Sequence, residues 1–278
     1  MPELPEVETT KSGIAPHIQG RQIHQLVVRQ PKLRWPIPDD LAALVKNQSV
    51  LDVRRRAKYL LIDVGAVKTG KLKGTVIIHL GMSGSLRVVE GKAPIPEKHE
   101  HFDLCFNNNV MLRFTDPRRF GACVWQAANT TSKLLDHLGP EPLGDDFNSD
   151  YIFQKSRKRS SAIKTFIMDQ KFVVGVGNIY ASESLFLSGI NPKKAAGKVT
   201  KKQFQQLTQC IKEVLTKAIA DGGTTLKDFV GSDGKPGYFA QQLRVYGRTG
   251  EPCLQCKTPI KQITQGQRST FYCPKCQK

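Results

Sequence analysis

Four cysteines near the end of the chain, Cys253, Cys256, Cys273 and Cys276, are spaced C-x2-C-x16-C-x2-C. One C-x-x-C pair alone is also the spacing of a redox dithiol. Two such pairs at this separation, without a βαβ context, have the spacing of a four-thiolate zinc site. Each pair forms a knuckle that points two sulfurs at one tetrahedral centre. Four thiolates fill the coordination sphere, so the expected ion is structural. It would fold a tail too short to build its own core. Between the knuckles, GQRSTFYC (266–273) predicts a hairpin with Arg268 near its tip. That arginine is either simply solvated or within reach of a phosphate.

The other end reads MPELPEVETT. With Met1 removed, Pro2 would offer a free secondary amine. Uncharged amines attack electrophilic carbon and form Schiff bases. An α-amino group titrates near about 7.7–8, against about 10.4 for lysine, so more of it is uncharged near neutrality. Glu3 could serve as the acid and Glu6, one turn further, as an orienting group. The same residues also read as a helix start, with Pro5 at the first helical position and acids complementing the dipole. A third pair of segments is HLGMSGSL (79–86) and TDPRRFGA (115–122). They set Met82, and Phe120 beside Arg118 and Arg119, on loops that leave β-type runs. Apolar side chains beside arginines suit insertion into a base stack; packing at strand ends is the alternative.

Charge narrows the partner. Lys plus Arg number 42 and Asp plus Glu 24, a net charge of +18 in 278 residues. A chain this basic, with no apolar run near the roughly 18–20 residues a membrane span needs, is expected to meet a polyanion rather than a membrane. The charge is clustered at 54–58, 155–171 and 244–278, which predicts strongly salt-dependent binding. Residues 1–20 hold three glutamates and no apolar stretch, so no signal peptide is expected, and the protein is expected in the cytoplasm. Disulfides are not expected there. Cys105, Cys123 and Cys210 read as core or near-core residues.

The elements that must hold these groups follow from periodicity. Residues 5–19 and 41–47 read as helices. Runs at 21–30, 49–64, 74–90, 101–106, 110–114 and 122–126 are β-type, and Asn107–Asn109 mark a hairpin. At 131–144 the pattern changes, with Gly139 and Pro140 as a helix stop. Residues 160–170 and 178–189 read as two helices around a glycine-containing turn, with Asn178 placed to cap and Gly189 to stop the second. A longer amphipathic helix covers 200–223, apolar at 204, 207, 211, 214, 215 and 218. Residues 224–246 have no period, and within them SDGKPGYFAQQ (232–242) carries two glycines, a proline and two aromatics, the profile of a functional loop. The fold class is α+β: an N-terminal antiparallel β-sandwich with flanking helices, a helical region and a zinc finger.

MPELPEVETT, RRAKYLL (55–61), HLGMSGSL, TDPRRFG, DQKFVVGVGNIYASE (169–183), GGTTLKDF (222–229) and the four-cysteine finger occur in this order along nearly the whole chain. Together they resemble the formamidopyrimidine-DNA glycosylase family. Its sister branch, endonuclease VIII, acts mainly on oxidised pyrimidines and typically has glycine where this chain has Leu4. The resemblance implies a sandwich domain (1–134), a helix-two-turns-helix domain (135–223), a lesion-recognition loop (224–243) and a zinc finger (244–278). It implies a bacterial, nucleoid-associated monomer that acts on double-stranded DNA containing an oxidised purine or an abasic site. Activity would be excision through an imine to Pro2, then strand cleavage by β,δ-elimination. Catalytic roles fall on Pro2, Glu3 and Glu6, with Lys58 and Arg268 as proton donors for the two eliminations. DNA contacts fall on Met82, His99, Arg118, Phe120, Arg159, Lys164 and Asn178. The cofactor is one Zn2+ on the four cysteines. His79 is left as a structural histidine.

Overall fold

The computed structural model describes residues 2–223 and 242–278; of the expected lesion loop, only Gln242 and Leu243 lie among the described residues. The chain divides into two compact units. The first holds the residues up to Asp136 together with Gly222 and Gly223; the second holds His137–Asp221 and the residues from Gln242 to Lys278.

In the first unit, α1 (Leu4–Ile18) is followed by β1 (Ile23–Val28) and the short α2 (Leu41–Val45). Helix α1 starts one residue before the expected position. Glu3 takes the cap in extended backbone, and Pro5 is second in the helix, where its missing N–H has no intrahelical partner to lose. The β-type run over 49–64 is two strands, β2 (Ser49–Arg56) and β3 (Tyr59–Ala66). Their turn carries no glycine, proline or asparagine, because Ala57 itself takes the left-handed conformation, φ 53°. The run over 74–90 also splits, into β4 (Lys71–His79) and β5 (Ser85–Glu90). β6 (Glu100–Phe106) and β7 (Val110–Thr115) form the predicted asparagine hairpin, and β8 (Ala122–Ala127) closes the set.

All these strands pair antiparallel in two four-stranded sheets, ordered β1-β6-β7-β5 and β2-β3-β4-β8. Their inner faces share one apolar core, in which Phe102 and Phe114 stack at 4.8 Å between centroids. The first sheet also buries charge. Arg113, 1% exposed, donates to both carboxylate oxygens of Asp103 at 2.9 Å and to Glu100 at 3.0 Å. Arg29 grips Asp103 with two further 2.8 Å bonds, and Arg87 reaches Glu100 at 2.9 Å. Burial alone would raise the Asp103 carboxyl, but the bonds from Arg29 and Arg113 outweigh it and hold it below its usual range.

The second unit is helical: α3 (Ser149–Ser156), α4 (Ile163–Met168), α5 (Asn178–Leu187) and α6 (Lys201–Ala220). Thr200 and Gln203 form a capping box at the start of α6, and its predicted apolar positions are buried. Residues 131–138 form turns rather than a helix. Gly139 is needed for close approach, since a Cβ there would lie 2.8 Å from the Lys171 carbonyl oxygen. Gly189 ends α5 as predicted, with φ 67° and bonds from Gly189 N to Phe186 O and from Ile190 N to Leu185 O. The unit ends in the hairpin β9 (Lys261–Gln265) and β10 (Arg268–Tyr272), packed on a small apolar cluster that includes Phe186, Val245, Ile260 and Phe271.

Candidate active site

Pro2 and the cap of α1 lie together in the interior of the first unit. Glu3 and Glu6 are 3% and 2% exposed, and Pro2 is also buried. Glu6 Oε2 accepts the Glu3 N–H at 2.7 Å, which fixes the backbone beside Pro2. Gly223 comes close to the same carboxylate: a Cβ there would lie 3.0 Å from Glu6 Oε1. Lys58, 7% exposed, sits in the β2–β3 turn. Arg55 holds that turn by donating to the Ala57 carbonyl at 3.0 Å, and it reaches Glu8 of α1 at 2.7 Å. The helix that Glu3 caps and the turn that carries Lys58 are therefore tied together. Burial would raise the Glu8 carboxyl, but bonds from Lys11 and Arg55 hold it below its ordinary value.

His79 accepts the Gly81 N–H on Nδ1 at 2.9 Å, so the neutral ring carries its proton on Nε2. Burial first, and then the charges of Lys58 and Arg34, lower its pKa to about 4. It keeps the structural role expected of it.

Met82 and Phe120 are among the exposed large apolar side chains, at 37% and 43%. The Arg118 guanidinium lies 5.0 Å from the centre of the Phe120 ring. Their two loops touch: a Cβ on Gly81, whose φ is 69°, would lie 2.5 Å from both Gly121 N and Phe120 C. His99 precedes β6, and its carbonyl accepts the Asp116 N–H at 3.0 Å. A cleft of about 490 Å³ opens beside it, lined by Arg29, Lys98, His99, His101 and Arg119 among others. Glu97 and Glu100 also line it, so the cleft carries both signs of charge.

In the second unit, Lys164 is 1% exposed. Its ammonium donates to Asn178 Oδ1, to the Ser269 carbonyl at 3.1 Å and to Thr270 Oγ1 at 2.8 Å. Asn178 Nδ2 donates to the same carbonyl at 3.0 Å. Gly177, not Asn178, caps α5. The Asn178 amide is thereby free to join the helices to β10, next to exposed Arg268. Arg159 is exposed elsewhere on this unit, 5.0 Å from the Phe172 ring centre.

Three family models match in this order. The formamidopyrimidine-DNA glycosylase N-terminal domain matches residues 1–123, and the H2TH domain of the same enzymes matches 138–230. A zinc finger found in FPG and IleRS matches 250–278. This chain belongs to the formamidopyrimidine-DNA glycosylase family. It is 56% identical to a formamidopyrimidine-DNA glycosylase of Saccharophagus degradans, over all of both chains. Among solved structures it resembles the complex of Lactococcus lactis Fpg with an abasic site containing DNA (TM-score 0.89, 31% identity, all of both chains). It is equally similar to MutM in complex with carbocyclic 8-oxo-G containing DNA (TM-score 0.89, 32% identity, all of both chains).

The family's zinc fits this chain's donors. The four sulfurs lie within 4.8 Å of one another. Cys253 and Cys276 are 3.9 Å apart and Cys256 and Cys273 are 3.4 Å apart. A tetrahedron with Zn–S bonds of about 2.3 Å has edges of about 3.8 Å. The Cys276 N–H points at Cys273 Sγ at 3.4 Å, which stabilises thiolate charge. Zinc is held here as a closed structural site. Among the described residues, no helix is long and apolar enough to cross a membrane.

Two further buried polar groups join segments that are distant in sequence. Glu183 is 1% exposed and accepts the N–H groups of Arg244, Val245 and Tyr246, each at 2.9 Å. It thus holds the entry to the finger on α5. Its signal was present: it is the one acid in an otherwise apolar and small-polar helix. Asp116 and Ser83 are the second case. Both are buried, and nothing in the local pattern of TDPRRFG or HLGMSGSL shows that they meet.

Proposed function

We propose that this glycosylase removes oxidised purines, such as 8-oxoguanine and formamidopyrimidines, from duplex DNA and cleaves the strand at the abasic site it creates. Strand cleavage by lyase chemistry is characteristic of its family. Relatives bound to abasic-site DNA and to 8-oxoguanine DNA support lesion-bearing duplex as the partner. The net charge of +18 supports a polyanion, bound by a monomer in the bacterial nucleoid.

The chemistry begins with flipping the damaged nucleotide, which costs a few kcal/mol of stacking and pairing. Met82, Arg118 and Phe120 fill the vacated space, with Arg118 bonded to the orphaned cytosine. With Met1 removed, the Pro2 amine attacks C1′ of the flipped sugar. The bond from C1′ to the base breaks, and its electron pair leaves with the base. Glu3 protonates the sugar-ring oxygen, the ring opens and an imine to Pro2 remains. That cation is an electron sink, so the C2′ proton is lost and the 3′ phosphate departs. A second elimination expels the 5′ phosphate and leaves a one-nucleotide gap. Lys58 serves the first elimination as proton donor and Arg268 the second. His99, Arg159, Lys164 and Asn178 serve the DNA backbone, and zinc supplies only the fold of the hairpin that carries Arg268. A sandwich domain over 1–134, a helical domain over 135–223, a lesion loop over 224–243 and a finger over 244–278 divide this work.

The observation that carries the assignment is the buried terminus, where Glu6 holds the Glu3 N–H at 2.7 Å directly beside Pro2. The test is borohydride trapping on an 8-oxoguanine·C duplex. A covalent adduct should form with the native protein and map to Pro2 by mass. An adduct on any lysine would overturn the assignment of the nucleophile. Intact mass of the purified protein checks that Met1 is absent.

A further inference from the structure

Asp116 is completely buried at the end of β7, and its carboxylate gathers the groups around it. Oδ1 accepts the Ser83 hydroxyl at 2.9 Å and the Arg118 N–H at 3.2 Å. Oδ2 accepts the Gly121 N–H at 2.7 Å. Ser83 belongs to the loop that exposes Met82, while Arg118 and Gly121 bracket the loop that exposes Phe120. The Asp116 backbone continues the connection: its N–H donates to the His99 carbonyl at 3.0 Å, and its carbonyl bonds to His101 Nε2 at 2.7 Å. One residue therefore joins the loops of both exposed apolar side chains through its carboxylate and the segment that carries His99 through its backbone.

We infer that Asp116 and Ser83 are positioning residues that lock the Met82 loop to the Arg118–Phe120 loop, so that the side chains enter the base stack as one rigid wedge. The inference rests on the wedge role proposed above for Met82, Arg118 and Phe120. The Ser83–Asp116 bond is the link that a purely local turn does not need. Arg118 N–H and Gly121 N–H lie in the same turn as Asp116, whereas Ser83 is 33 residues away. The loops are already in backbone contact at Gly81, and a buried bond to a carboxylate keeps that contact in one geometry. Rigid loops enter the duplex without first being ordered, which is preorganisation in the ordinary binding sense.

The test compares two substrates under single-turnover conditions. One is an 8-oxoguanine·C duplex, where a stack must be entered. The other is a single-stranded oligonucleotide with an abasic site, trapped by borohydride, where no stack exists. Ser83→Ala should slow duplex excision about tenfold, the scale of one lost bond to a charged group. It should leave single-strand trapping unchanged. Ser83→Thr, which keeps the hydroxyl, should restore the duplex rate. Tryptophan fluorescence melting reports whether each variant is folded, and Ser83→Cys, which fills the same space with a weaker donor and should slow the duplex reaction alone, carries the comparison if Ser83→Ala is not. Equal slowing on both substrates would reduce Ser83 to a structural role and overturn the inference. If Met82→Ala and Phe120→Ala slow the duplex reaction but Ser83→Ala does not, the wedge stands and the lock is overturned. If neither wedge variant slows the duplex reaction, the wedge role falls and the lock with it.

Discussion

The two units position their chemistry by different means. The sandwich has a continuous apolar core between two sheets, and it can afford to bury charge: Arg113, Asp103 and Glu100 are each 5% exposed or less. The finger at the end of the second unit is packed on a cluster of six buried residues, two of them its own zinc ligands. The first unit holds Glu3, Lys58 and Asp116 by hydrogen bonds set in a core. The second holds Arg268 on a hairpin whose fold depends on a metal. The contrast teaches that the same demand, a fixed polar side chain, is met by core packing where the chain is long and by a metal where it is short.

Removing zinc tests the contrast most severely. Structural zinc in small fingers is worth on the order of 10 kcal/mol, more than a cluster of this size supplies. Chelation, or Cys273→Ser, should therefore expose the backbone amides of 244–278 to rapid hydrogen exchange. The two tryptophans, Trp35 and Trp125, both lie in the first unit and report on it separately. Their unfolding transition should shift much less than the exchange does. Protection of 261–272 that survives chelation would show that the finger does not need its ion.

The next largest effect should come from the sandwich. Arg113→Met leaves Glu100 and Asp103 buried with fewer partners. Breaking a buried pair costs about 3–5 kcal/mol, and the lower end is expected because Arg29 stays on Asp103. Urea unfolding followed by tryptophan fluorescence measures it. A loss below about 1 kcal/mol would mean that the network is not held by the core.

Much of this was legible in the sequence, and the exceptions have physical causes. The zinc site follows from residue type and spacing, which survive without a fold. For Pro2, Met82 and Phe120 those left two readings open, and only the family resemblance chose between them. The β2–β3 turn was not visible, because Ala57 adopts a left-handed conformation no residue type announced. Asn178 looked like a cap, yet Gly177 caps and the amide turns to Ser269, 91 residues away. Asp116 with Ser83 and Glu183 with 244–246 were hidden for the same reason. Their partners are distant in sequence, and no periodicity encodes a long-range hydrogen bond.

His79 sharpens the account of the first unit through pH. Its pKa is about 4 in the fold and about 6.5 unfolded. Between these values the unfolded chain binds a proton that the folded chain refuses, so stability falls as pH drops through that window. The loss should approach about 3 kcal/mol below pH 4. Asp103 and Glu8, both held low, add their own acid lability, so the comparison must be with a variant. His79→Gln keeps an acceptor for Gly81 N–H and does not titrate. Its stability should fall less than that of the native protein between pH 7 and pH 4.5, by tryptophan-monitored urea unfolding. Parallel curves would mean that His79 takes its proton without resistance.

The smallest effect should come from Thr200→Ala, and it tests the second unit where zinc is not involved. Thr200 Oγ1 accepts the Gln203 N–H at 3.2 Å, and Gln203 returns the bond to Thr200 N–H at 3.1 Å. Losing such a cap costs about 1 kcal/mol. Helix α6 is otherwise specified by its own apolar stripe, so the loss should stay local, visible as a lower helical melting transition by circular dichroism. Lys164 and Asn178 are held by bonds that do not include α6, and Arg268 lies on β10, which pairs with β9. The salt dependence of DNA binding, which counts phosphate contacts, should therefore keep its slope. A changed slope would show that the helical scaffold and the metal-held hairpin position their cations jointly, and the division of labour within this unit would have to be redrawn.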